Sequence, residues 1–382
     1  MREHVGINTS ARVGNGRIAW IDVAKGIAIL LMVIGHMEVG PYVRGLILTF
    51  HMPLFMILNG YLIKEYDVRR TFVRSVRTLL VPYFIFGVIQ AICCALTSPE
   101  VAQALSAFLQ ALDDMMVGLA KETPCFSRYG SVWLIWFVNC LFLARNLYVM
   151  ICASTAKLGE IVAKTMRDDQ AEPGQGVWSE RIVLMTRGIL LAVVCLAGYL
   201  IGTQYAFLPW NLDVAMYSVV FIAAGDVIHQ KEMMEKSGAV MWIVPLIVWG
   251  AFVLSKTYIE LATRTYPFVI GGAISAIAGS FFWMKCSKWM DDRGSMAADV
   301  LAWFGKHSIL VLCIHGLEMR FIKWNVIFGR FGESSFSFLT NGVVQAAIRT
   351  VLVCICTWVA VLICERIKHK GINKINGEAT NE

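Results

Sequence analysis

The sequence predicts an all-α fold: a polytopic helical membrane protein with about ten transmembrane helices. Three observations carry this. Apolar residues make up 57% and charged residues only 16% of 382 residues, against about 25% charged in an ordinary soluble chain, and mean hydropathy is +0.63. Apolar runs of about 17–25 residues, long enough to cross a bilayer as a helix, recur along the whole chain. These runs do not alternate with the two-residue period that a spanning β-barrel requires.

Taken in order, the first run (18–40) holds Asp22, Lys25 and His36, and the second (46–63) holds His51, Pro53 and Asn59-Gly60-Tyr61. A basic stretch, KEYDVRRTFVRSVRTLLVPY, leads into the third (78–97). The loop 98–129 contains VAQALSAFLQALDDMMVGLA, whose helical spacing predicts an amphipathic surface helix, together with Glu122 and Cys125. The fourth run (131–153) carries WLIWF and Asn139, and the polar connector MRDDQAEPGQG separates it from the fifth (182–203). The sixth (210–229) opens with PWNLD, ending in Asp213, and closes at Asp226. Runs at 239–255 and 266–284 follow. The ninth (299–318) includes WFGKHSILVLCIHGLE, with Lys306, His307, His315 and Glu318, and the tenth spans 342–364. Residues 1–17 read as a short cytoplasmic segment, 18–365 as one membrane domain, and 366–382 as a polar, disordered tail.

With the N-terminus in the cytoplasm, the inner segments collect about 21 Lys and Arg and the outer loops about eight. That bias agrees with an even number of spans and both termini inside, as for a multi-pass protein of a bacterial-type inner membrane. The formal charge of +7 is therefore a topology signal and not a nucleic-acid footprint. Lys25 within the first run argues for a span rather than a cleaved signal. The eleven cysteines are scattered in apolar runs as small fillers, and no Cys/His cluster has zinc spacing, so no metal is expected.

Ionisable residues inside apolar spans single out the candidate site, because each costs roughly 2.5–3.5 kcal/mol at mid-bilayer. On a helix, the eleven residues from Lys25 to His36 are close to three turns, placing both on one face about 16 Å apart. Asp22 is three residues before Lys25, near enough to pair with it. Arg74 and Arg77, one turn apart at the mouth of the third span and supported by Arg70, suit phosphate groups; the positive-inside rule or anionic lipid explains most such clusters. His36 suits a general base, although a histidine in an apolar helix is also often a hydrogen-bonded core residue. His51 is read about one turn into the second span. Asn59, Asp213, His315 and Glu318 are further polar candidates for a pocket or an acceptor entrance.

The segments RIAWIDVAKGIAILLMVIGH, TFHMPLFMILNGYLI, RSVRTLLVPY, SVWLIWFVNCLF, LPWNLDVAMYSVVFIAAGDVI and WFGKHSILVLCIHG, in this order and spacing, resemble the integral-membrane acyltransferase family (acyltransferase 3), and within it the fucose 4-O-acetylase-like group. The family's pattern of a basic residue, ten residues and a histidine falls on Lys25 and His36, and its paired-arginine motif on Arg74 and Arg77. Asn59 departs from the serine usual before Gly-Tyr. The resemblance implies transfer of an acyl group, most often acetyl, from cytoplasmic acyl-CoA to a hydroxyl of a sugar, surface polysaccharide or lipid-linked glycan. Acetyl-CoA is then a substrate, with no permanently bound cofactor. His36, with Asp22, is the expected catalytic set; Lys25, Arg70, Arg74 and Arg77 are the expected donor-binding residues. A transporter or channel using Lys25, His36 and His51 as a proton or substrate path is the rival reading, and a lipid- or glycan-sensing module is a third.

Overall fold

The computed structural model describes residues 13–14, 17–37, 39–119, 133–165, 175–204, 208–331 and 336–378. Glu122, Cys125 and most of the polar connector before the fifth run lie outside them.

A two-strand hairpin, β1 (Val13–Gly14) and β2 (Arg17–Ile18), leads directly into α1 (Ala19–Gly35), which ends at His36. The next helix, α2 (Pro41–Tyr61), starts on proline, whose missing N–H is no loss in a first turn. The third span begins with α3 (Val68–Ser75), capped by Asp67 Oδ1 accepting the Arg70 backbone N–H at 2.9 Å. It then widens into a π turn over Val76–Leu80 before α4 (Val81–Leu96). The Val81 N–H reaches back to the Val76 carbonyl, and Pro82, the next residue, has no N–H to offer.

The predicted amphipathic helix is α5 (Val101–Val117), and it lies along α4: Tyr83 donates to the Met115 carbonyl at 2.7 Å. Next come α6 (Trp136–Thr165), α7 (Gln175–Thr203), α8 (Leu212–Gln230), α9 (Val240–Leu254) and α10 (Gly271–Asp292). The predicted ninth span is not one helix. It is broken at His307 into α11 (Met296–Lys306) and α12 (Ser308–Phe321), bent by 73°. A short α13 (Trp324–Gly329) precedes α14 (Gly342–Glu378). Helical backbone thus continues well past 366, where composition suggested disorder; extending an existing helix needs no new nucleation.

Each of the ten apolar runs contains helix among its described residues. Six helical segments among the described residues are long and apolar enough to span, or seven if the bent pair counts as one. The others fall short for visible reasons: α1 has 17 residues and α9 has 15, while α10 ends in a stretch containing Lys285, Lys288, Asp291 and Asp292. Peripheral helices α7 and α14 present Leu184, Ile189, Val193, Val351 and Ile363 outward, each more than half exposed. Such apolar exteriors are stable against lipid chains.

The centre is built from α1, α2, α6, α8 and α10, and two crossings set its geometry. A Cβ on Gly26 of α1 would strike the Leu301 carbonyl of α11, and one on Gly305 would strike the Asp22 carbonyl. In the same way Gly60 of α2 abuts the Ile222 carbonyl, and Gly225 of α8 abuts the Ile57 carbonyl. Because backbone cannot yield as a side-chain tip can, Gly225→Ala is expected to destabilise the detergent-solubilised protein by at least 1–3 kcal/mol, roughly the range for overpacking. Gly250→Ala, where a Cβ meets nothing within 4 Å, is the control and leaves the thermal unfolding midpoint unchanged or slightly raised.

Candidate active site

One cavity of about 690 Å³ follows α1 along its length, within the size range of small-molecule sites. At the end where α1 begins, Arg17, Lys25, Asn59, Arg74, Arg145 and Lys306 line it. Its middle is apolar, with Ile29, Met32, Leu48, Met52 and Phe55. At the far end stand His36, Arg44 and Glu260, the last two forming an ion pair at 3.7 Å.

Helical spacing explains the first pair. Lys25 lies 3.4 Å from Asp22, and Arg17 3.9 Å from the other Asp22 oxygen. Asp22 therefore holds two of the cations of this mouth. It stands fourteen residues before His36, about 21 Å along the helix, and so acts at this mouth rather than on that imidazole.

His36 Nδ1 lies 2.8 Å from the Met32 carbonyl. A carbonyl only accepts, so the neutral ring carries its hydrogen on Nδ1 and keeps the Nε2 lone pair for the cavity. His51 is fixed likewise by the Ile47 carbonyl at 2.9 Å. It is buried ten residues into α2, far deeper than one turn, because that helix begins at Pro41 and not at 46.

The basic cluster divides. Arg74 faces the cavity with Thr78, whose hydroxyl donates to the Arg74 carbonyl at 2.9 Å. Arg77 is exposed and absent from the lining, because the π turn starting two residues after Arg74 shifts the angular register. Arg70 is also outside the cavity, at 3.3 Å from Glu65. In their place the fold brings Arg145 of α6, which donates from Nη1 to Asn59 Oδ1 at 2.8 Å and whose buried Nε has no partner. The loop before α3 is anchored by Asp226, which accepts from Tyr66 at 2.6 Å and Tyr148 at 2.5 Å.

Asp213 does not line an entrance. It is fully buried and bonded by Arg264, Nε to Oδ2 at 2.9 Å and Nη2 to Oδ1 at 3.3 Å, with Asn211 accepting from the same guanidinium at 3.0 Å. His315 and Glu318 are buried too and sit behind the cavity wall. The His315 ring contacts His36 edge-on, centroids 5.7 Å apart. Its Nδ1 donates to Glu318 Oε2 at 2.8 Å, while Arg349 Nε at 2.7 Å and Trp324 Nε1 donate to Glu318 Oε1. Arg145 and Arg349 escaped the sequence reading. Each is a single arginine inside an apolar run, which is itself the signal of a functional position.

Chemically, the arrangement offers a cationic mouth for an anionic ligand, an apolar channel and a positioned neutral imidazole. A family model described as an acyltransferase domain matches residues 18–364. Two curated relatives are both called nodulation protein NolL. The chain is 32% identical over 166 residues to the one from Sinorhizobium fredii, covering 37% of this chain and 41% of the relative. It is 30% identical over 139 residues to the one from Mesorhizobium japonicum, covering 32% and 33%. The chain thus matches well under half the length of each. No solved structure matches it.

The Asp213–Arg264 pair should be a stability element. Asp213→Ala leaves a buried guanidinium uncompensated and is expected to cost roughly 3–5 kcal/mol, read as a lowered unfolding temperature in detergent.

Proposed function

The chain belongs to the acyltransferase family, and from that premise we propose that it is a membrane O-acyltransferase moving an acyl group, most simply acetyl, from acyl-CoA to a hydroxyl of a sugar, surface polysaccharide or lipid-linked glycan. One observation carries the reading: a single cavity joins a cluster of cations to His36 through an apolar passage. Coenzyme A has phosphates at one end and a thioester at the other, with a thin arm between. Arg74, Arg145, Lys25 and Lys306 are placed for the phosphates, and the unpartnered Arg145 Nε is a donor that an anionic oxygen would satisfy.

In this reading the thioester lies beside His36. The acceptor hydroxyl gives its proton to His36 Nε2 and its oxygen attacks the thioester carbonyl. The C–S bond then breaks, and the proton passes from His36 to the departing sulfur. No other nucleophile is needed. Charge bias supports a cytoplasmic position for the cationic mouth, in a bacterial-type inner membrane, with donor entering there and acceptor approaching from the Arg44–Glu260 mouth. An end-to-end cavity would also suit a conducted solute, but the sharp helix break found among the described residues, at His307, lies at a mouth rather than at the middle where transporters bind.

Oriented vesicles given acetyl-CoA on the cytoplasmic face and glycan on the other are expected to acylate the glycan. His36→Ala should lower the rate by about 10²–10⁴-fold with acetyl-CoA binding retained. Full turnover by folded His36→Ala protein would refute the base assignment.

The donor mouth has its own test. Arg74→Ala and Arg145→Ala should each raise the KM for acetyl-CoA well above that for acceptor, and Arg→Lys should rescue only in part, since a point charge lacks the two-pronged contact. Arg70→Ala and Arg77→Ala should leave both constants near wild type. Equal effects at all four positions would show a general surface field instead of a site.

A further inference from the structure

Behind His36 lies a buried chain of polar groups that the transfer steps above do not use. His315 is fully buried, as is most of Glu318. His315 Nδ1–H is committed to Glu318, so its Nε2 is an acceptor, and that atom is buried without a partner. An unpaired buried acceptor is unfavourable. Its ring is packed edge-on against His36. Glu318 is held in turn by Arg349 and Trp324, so its orientation is set from three directions.

We infer that His315 is a positioning residue for the acyl transfer, holding His36 and stabilising the positive charge it acquires, with Glu318 as the compensating carboxylate and Arg349 as its anchor. The inference rests on His36 being the base. The proton balance is unchanged: the hydroxyl proton goes to His36 Nε2 and later to the sulfur, and His315 takes none of it. While His36 is an imidazolium, the polarised His315 ring transmits the favourable field of Glu318 to it. In a low-dielectric interior such fixed dipoles act strongly. The arrangement also accounts for an arginine within an apolar helix: without Arg349, the Glu318 carboxylate would lose its charged partner.

Two readouts test this. The first needs no substrate: the rate at which diethylpyrocarbonate modifies His36 under mildly alkaline conditions, followed by mass spectrometry of its peptide. His315→Leu and Glu318→Gln are each expected to slow that modification at least about fivefold, and His315→Gln, which keeps a polar side chain between Glu318 and His36, should recover much of it. The second is thiol release from acetyl-CoA with membrane glycan as acceptor. His315→Leu should lower kcat at least tenfold with the KM for acetyl-CoA within about threefold, and should have no further effect in a His36→Ala background, because groups acting as a unit are not additive.

Unchanged His36 reactivity in Glu318→Gln and in His315→Leu overturns the inference. So does an equal loss of kcat by His315→Leu with and without His36. If His315→Leu fails to fold, Glu318→Gln and His315→Gln decide the matter. Turnover that survives His36→Ala refutes the base assignment instead, and the modification rates still report whether His315 acts on His36.

Discussion

The backbone contact between α1 and α11 is the constraint on which the site depends. Gly26 and Gly305 each lie against a carbonyl of the other helix, so neither helix can shift without the other. Locking α11 across the base of α1 forces the chain to turn at His307, and the 73° bend sends α12 along α1 toward His36. Lys306 and His307 thereby join Lys25 at one mouth, and His315, two turns further on, arrives against His36. Had the segment continued as one straight span, these two imidazoles would have no reason to meet.

A second rule governs the charged groups. Away from water each ion needs a partner, and most inner ones have it: Asp213 with Arg264, Glu318 with Arg349, Asp226 with two phenols, and Lys285 with the Met234 and Lys236 carbonyls. These pairs tie helices distant in sequence into one body. Several buried hydroxyl and indole groups, such as those of Ser218, Tyr266 and Trp249, also lack a partner; among the unsatisfied atoms of the described residues only Arg145 Nε and His315 Nε2 belong to basic side chains, and these two lie near the two ends of the cavity. Fully bonded ions therefore mark architecture, and the incompletely bonded ones mark places where chemistry is expected.

Local features were legible in the sequence, and non-local ones were not. The spacing of Asp22, Lys25 and His36 on one helix gives both the ion pair and the shared cavity wall, because it depends only on 3.6 residues per turn. The same arithmetic misplaces Arg77, since it lies within a π turn that begins at Val76 and changes the phase ahead of Pro82. Asp213 sits at a helix start and reads as an entrance residue; its partner Arg264 is fifty-one residues away in a connecting segment, a pairing that one-dimensional spacing does not encode. The break at His307 follows from glycine packing against another helix and carries no proline to announce it. Arg145 and Arg349 were visible as isolated charges, but clusters drew the reading toward 69–77.

A passage lined from one face of the bundle to the other is a hazard to a membrane that stores energy as an ion gradient. Between its polar ends, however, this one is lined by the apolar side chains of Ile29, Met32, Leu48, Met52 and Phe55. Hydrophobic constrictions stop ions and protons by shedding water. Under the function proposed above, the side chains that accommodate a thin organic arm would also insulate, so that a chemical group could cross the barrier's midplane while an ion gradient stays intact.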